Sequence, residues 1–202
     1  METSLNPERV GNRTPRKFMK RLYSTKDVYR FLRDMLSSVG DMRTGRKAGL
    51  VSVEFSERIM LAVTEVNGCR YCSYFHAQVA LKAGLDTDEI SDTLSGDFRS
   101  APAEELPALL FAQHYADRAG WADPDLVDSL MDTYGEARGR AIIANIRAIM
   151  LGNVWGNTFD ALRFRLKGQP SGQTSLGGEL LAVFGLPLMI PVAAVHNLVT
   201  SK

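Results

Sequence analysis

Cys69-Arg70-Tyr71-Cys72-Ser73-Tyr74-Phe75-His76 constrains the fold more than any other stretch. It carries the only two cysteines and one of the three histidines of the 202-residue chain. Read as the first two turns of a helix, at about 100° per residue, it brings Cys69, Cys72 and His76 within roughly 60° of one another. Val79, Ala80 and Ala83 continue that face, while Arg70, Tyr71, Gln78 and Lys82 lie on the other side. The thiols and the imidazole are therefore expected to face inward, on a stripe of small residues that another helix can approach.

Three chemistries are open to this group. A Cys-x-x-Cys pair at a helix start can close a disulfide within one turn, its thiolates favoured by the helix dipole and a nearby imidazole. The same side chains with one carboxylate can hold zinc. Two cysteines can also be inert buried apolar residues. A structural zinc site usually draws ligands from two separated places, and no second cysteine pair exists here.

The segment before it adds a fourth residue. Residues 54–66 read as a helix stopped at Asn67-Gly68, a C-cap and turn. Phe55, Ile59, Ala62, Val63 and Val66 form its core face, and Glu54, Arg58 and Glu65 an expected solvated stripe. Glu57 belongs to neither. It shares a side with Met60, Leu61 and Thr64, and a carboxylate among apolar neighbours needs a partner or a proton.

Glu57, Cys69, Cys72 and His76 at this spacing resemble the active-site signature of the alkylhydroperoxidase D-like branch of the carboxymuconolactone decarboxylase superfamily. The frame Ala-Val-x-x-x-Asn-Gly-Cys-x-x-Cys-x-x-x-His-x-x-x-Ala-x-x-x-Gly is typical of it too. The close resemblance spans about residues 54–85, and the helical layout to residue 167 is compatible. It implies an all-α domain with the Cys-His helix packed inside, usually as a homo-oligomer. It also implies a thiol-dependent peroxide reductase, with Cys72 attacking the peroxide, Cys69 resolving, and Glu57 and His76 relaying protons. One departure matters: members with well-developed peroxidase activity often carry a second histidine just before the second cysteine, where this chain has Tyr71.

That reading calls for a peroxide substrate and a dithiol or thioredoxin-like electron donor, with no cofactor or metal. Disulfide reduction is a close variant. A non-redox lyase like the decarboxylases that name the superfamily, a zinc-binding module and a membrane-associated module are the alternatives. Among these residues, helix geometry alone makes Cys69, nearer the dipole, the more acidic thiol.

The length suits one domain with tails, and 45% hydrophobic residues suffice for its core. A net charge near +1 exerts no overall pull on nucleic acid or membrane. Cysteines at redox spacing and no signal peptide suggest the reducing cytoplasm. Residues 1–22 form a basic arm, with Arg9, Arg13, Arg16, Lys17, Lys20 and Arg21 against Glu2 and Glu8. Without aromatic interleaving or a nucleic-acid motif, a partner-clasping or disordered arm is expected, not a nucleic-acid site.

The helical domain should run over residues 23–168. A first helix begins after the caps Ser24 or Thr25 and carries Val28, Phe31, Leu32, Met35 and Leu36 inward, with Gly40 and Gly45 interrupting it. The Cys-His helix ends near Gly84, and a short helix covers Thr87–Leu94. Residues 103–119 form a helix whose His114 reads as structural. Asp123 and Pro124 start another through Met131. Residues 136–166 make a long helix in which Gly152 and Gly156 permit close packing or a kink, and Asn153 and Asn157 are expected to bond a neighbouring backbone. In the tail, residues 169–202, Leu180 to Val195 carry no charge but are broken by Gly185, Pro187 and Pro191. The prolines disfavour a simple span, so a subunit interface is expected before a membrane anchor.

Overall fold

The computed structural model describes residues 18–200, and among these all regular structure is helical. The elements are α1 (Thr25–Lys47), α2 (Val53–Asn67), α3 (Arg70–Ala83), α4 (Thr87–Thr93), α5 (Leu106–Asp117), α6 (Pro124–Tyr134), α7 (Glu136–Leu166), α8 (Leu176–Phe184) and α9 (Leu186–Thr200). The fold is all-α. Most of the N-terminal arm, residues 1–17, lies outside the described residues.

Most helix starts are written locally. Ser24 and Asp27 form a reciprocal capping box, and Ser52, Asp86, Asp123 and Ser175 each cap a helix through their own side chain. Gly68 and Gly84 close α2 and α3 in the left-handed conformation, with φ of 64° and 110°.

α2 and α7 form the centre. α7 is one unbroken helix of 31 residues that packs on α1, α2, α3, α5, α6 and α8. Ile59, Ala62 and Val63 of α2 meet Ile142, Ile146 and Met150 of α7 in a core that also takes Phe31 and Leu32 from α1 and Leu109 and Ala112 from α5. α2 buries nearly its whole circumference, including Glu57, Leu61 and Thr64.

Several expectations are corrected by this packing. Gly40 and Gly45 do not interrupt α1; Gly45 is buried where α1 meets Ala141 of α7, and the missing side chain allows that close approach. α7 does not kink. Two of the three residues of the expected solvated edge of α2 are tied up: Arg58 binds Glu89 at 2.5 Å and Glu105 at 3.0 Å, and Glu65 accepts from Gln113 at 3.2 Å. These bonds join α2 to α4, to the N-cap of α5 and to α5 itself. Asn157 does bond a distant backbone, donating to the Asn67 carbonyl at 2.7 Å, whereas Asn153 accepts from the Thr64 hydroxyl at 3.1 Å.

The tail is helical and folds back. α8 lies on α7 and α1, and α9 on α1. Arg165 holds the fully buried Glu179 through two hydrogen bonds of 2.8 and 2.9 Å. Arg33 donates to Asn197 at 2.8 Å and to Thr200 at 2.9 Å. No single helix among the described residues is long and apolar enough to cross a membrane, and α8 and α9 are bent by 72° to one another.

Candidate functional site

Gly68 turns the chain so that α3 runs back beside α2. Cys69 is the residue that makes the turn a helix start. It is the N-cap of α3, with extended backbone (φ −77°, ψ 100°), and its Sγ accepts the Cys72 N–H at 3.3 Å. Cys69 and Cys72 form a disulfide, with Cα atoms 5.3 Å apart. The two sulfurs differ in access: Cys69 is fully buried, whereas Cys72 lines an open cavity.

That cavity, of about 380 Å³, is formed by Met60 of α2, Tyr71, Cys72, Phe75 and His76 of α3, and Ala148, Ile149, Gly152, Trp155 and Gly156 of α7. Its walls are largely apolar. Gly156 is a requirement of the disulfide. A Cβ there would lie 2.7 Å from Cys69 Sγ and 3.6 Å from Cys72 Sγ, closer than α7 could come with any side chain at that position.

The imidazole is oriented from behind. Glu57 Oε2 lies 2.8 Å from His76 Nδ1, and both side chains are largely buried. The Phe75 ring meets the imidazole edge-on, at 5.1 Å between centroids. Glu57, Cys69, Cys72 and His76 are thus gathered at one place, with Cys72 and His76 on the same cavity wall. His114 is elsewhere. It lines a separate small apolar cavity between α5 and α6, with Leu110, Phe111 and Leu130 among its neighbours.

Tyr71 departs from its expected place. It is not on an outer face: its ring lines the cavity and meets Phe159 at 5.8 Å, which in turn stacks on Trp155. Its hydroxyl joins Asp160, a buried carboxylate of α7 that also pairs with Lys20 at 3.0 Å and with Arg70. The half of the cavity supplied by α7 and the Asp160 hub escape sequence reading. The spacing of Gly152 and Gly156, one turn apart and flanking Trp155, was the available signal.

A disulfide at an apolar cavity, beside a carboxylate-held imidazole, is a redox-competent arrangement. Among the described residues no cluster of three or more His, Cys, Asp or Glu side chains could hold a metal ion. A family model, that of the carboxymuconolactone decarboxylase family, matches residues 34–117. Over that segment, less than half of the chain, the sequence is similar to this family. The match runs from within α1 to the end of α5, so it contains Glu57, Cys69, Cys72 and His76 but not the α7 residues that complete the cavity. No curated protein and no solved structure matches the chain.

Proposed function

We propose that this chain is a thiol-dependent peroxide reductase of the alkylhydroperoxidase D-like kind, with Cys72 as the attacking and Cys69 as the resolving thiol. The observation that carries the reading is the difference in access between the two sulfurs of one disulfide: Cys72 opens onto a cavity beside His76, and Cys69 is sealed beneath it against Gly156.

The chemistry closes on the chain's own groups. In the reduced protein His76 takes the Cys72 proton, and Glu57 holds the charged imidazole in place through Nδ1. The Cys72 thiolate attacks the terminal oxygen of the hydroperoxide. An S–O bond forms, the O–O bond breaks, and the alkoxide leaves with the proton from His76 as an alcohol. Cys72 is now a sulfenic acid. The Cys69 thiol condenses with it, releasing water and forming the disulfide. An external dithiol then reduces that bond by exchange and is itself oxidised to a disulfide. Tyr71 does not add a second imidazole to this relay; its hydroxyl is engaged by Asp160 instead.

The deciding experiment mixes the reduced chain with one equivalent of cumene hydroperoxide and follows peroxide loss and thiol content together. We expect stoichiometric conversion to the alcohol and a Cys69–Cys72 disulfide seen by peptide mass spectrometry. Loss of peroxide without thiol loss, or no reaction, would overturn the reading and favour a non-redox lyase.

The expected homo-oligomer also has a candidate surface. Leu188, Val192, Val195 and Val199 recur at helical spacing on α9 and are each at least 60% exposed. We propose that a second copy covers this stripe. The opposite side of α9 is tied to α1 through Asn197 and Thr200, so the helix cannot leave to span a bilayer without breaking those bonds. Light scattering of Val192→Lys/Val195→Lys should show a smaller particle than the wild type. An unchanged mass, or wild-type protein recovered only from membranes, overturns the interface.

A further inference from the structure

Tyr71, which lines the cavity, carries its hydroxyl into a cluster of cations just outside the lining. The Tyr71 hydroxyl accepts from Arg163 Nη1 at 2.6 Å and from Arg70 Nη2 at 3.0 Å, and donates to Asp160 Oδ1 at 3.2 Å. Lys20 caps the other oxygen of Asp160. Two cations, Lys20 and Arg70, pair with the one carboxylate, and a third, Arg163, reaches the cluster through the Tyr71 hydroxyl, so three positive charges face one negative charge, a formal excess of two. Asp160 itself is buried beneath Lys20, Arg70 and Tyr71, whereas the Arg70 side chain is 52% exposed and Arg163 is exposed. Among the described residues no carboxylate pairs with Arg163. Apart from Tyr71, Cys72 and His76, the walls, including Met60, Phe75, Ile149 and Trp155, are apolar.

We infer that the cavity takes an amphipathic hydroperoxide, its hydrocarbon lying along Met60, Phe75, Ile149 and Trp155 and its carboxylate held by Arg163 and Arg70. The inference rests on the peroxide-reductase reading of the same cavity. A guanidinium offers a carboxylate two parallel N–H donors, which a simple surface lysine does not. The phenol ring of Tyr71 separates these arginines from Cys72. The carboxylate and the hydroperoxy group must therefore be spaced by a chain, as in an unsaturated fatty acid oxidised away from its acid end, and not joined as in a peracid. The redox step is unchanged: Cys72 is oxidised, the terminal peroxide oxygen is transferred to sulfur, and a hydroxy acid leaves.

The test compares an unsaturated fatty-acid hydroperoxide with its methyl ester, both below their micelle-forming concentrations, in single turnovers of the reduced chain. The readout is the ratio of their kcat/KM values, which cancels any general effect of a substitution on folding or thiol chemistry. We expect the acid to be favoured by about tenfold, the worth of one charge-assisted hydrogen bond. The ratio should shrink with added salt and fall to near one in Arg70→Met/Arg163→Met, while Arg163→Lys keeps part of it. Equal rates for acid and ester in the wild type, or a preference that survives in the double variant, would overturn the inference. A second measurement separates this subsite from the reductase chemistry. The unoxidised fatty acid is titrated against Trp155 fluorescence in a Trp121→Phe background. Tighter binding of the acid than of its ester, lost in the double variant, supports the subsite even if no hydroperoxide reacts; equal binding overturns it. Failure of every hydroperoxide to oxidise the thiols counts against the reductase reading alone.

Discussion

Two buried carboxylates mark two different regions of this molecule. Glu57 on α2 reaches His76 on α3 at the edge of an open cavity. Glu179 on α8 is gripped by both Nε and Nη2 of Arg165 on α7 and accepts a third bond from Thr174 at 2.8 Å, with no access to solvent. Burial is similar, but the partners differ in kind. An imidazole can gain and lose a proton near neutral pH, so a carboxylate behind it can tune proton transfer. A guanidinium stays charged, so the Glu179 pair can only clamp. On the proposed mechanism the first region changes state, whereas the second holds the tail of the fold in place.

The comparison breaks most completely if Cys72 is not the reacting group. Cys72→Ser should abolish peroxide turnover, whereas Cys69→Ser should leave a trapped sulfenic acid or mixed disulfide at Cys72, both read by mass spectrometry after one equivalent of peroxide. Wild-type turnover in Cys72→Ser would sink the assignment.

Next in size is Glu57→Gln, which keeps the shape and most of the hydrogen bonding but removes the charge behind His76. The protein should retain its helicity. The single-turnover rate of sulfenic acid formation at neutral pH should drop by roughly 10²-fold, the lower end expected for lost general-base help, and partly recover at higher pH as the thiolate forms unaided. Superimposable pH–rate profiles for wild type and variant would reduce Glu57 to a structural residue like Glu179.

Gly156→Ala tests whether the close approach of α7 sustains the site. The added methyl collides with the Cys69 sulfur. Thermal or denaturant unfolding should report a loss of about 1–3 kcal/mol, the usual cost of overpacking. Undiminished stability would mean that α3 shifts at little cost.

The smallest effect is expected at the clamp. Glu179→Gln should lower the Tm by several degrees without altering the thiol rate. Its pH dependence has a definite sign. Burial disfavours the Glu179 charge, but hydrogen bonds from Arg165 and Thr174 outweigh it and lower the carboxyl pKa below its ordinary 4.5. A carboxylate with a lowered folded pKa stabilises the fold above its unfolded pKa, and that contribution fades as pH falls through the folded value. Wild-type Tm should therefore fall more steeply than that of Glu179→Gln below about pH 4.5. Parallel curves would show that the pair contributes nothing to docking of α8.

How much of this was legible beforehand depends on how far each feature reaches along the chain. Caps such as Ser24 with Asp27, or Asp123 with Pro124, act within one helical turn, and so does the disulfide between Cys69 and Cys72. The caps could be read from spacing alone, whereas the spacing of the cysteines allowed the disulfide beside zinc binding and inert packing. Glu57 stood out because it fitted neither face of its helix, although its closeness to His76 depends on the turn at Gly68 folding α3 back. By contrast, nothing within four residues of Arg58 reveals that Glu89 and Glu105 will bury it. Nor does the local pattern around Tyr71 show that Asp160 and Phe159 draw it to the cavity.

The amino-acid order by itself determined most helix starts within residues 23–168 and the placement of two thiols and an imidazole on one side of α3, because those depend on backbone preferences and neighbours at three or four positions. Only the tertiary structure decided that Gly156 is the glycine against the sulfurs, that Gly45 continues a helix instead of breaking it, and that the uncharged tail folds onto α1 and α7. The reason is physical: a helical face carries the demand to be buried, but which distant face meets that demand is chosen by the packing of all the helices together.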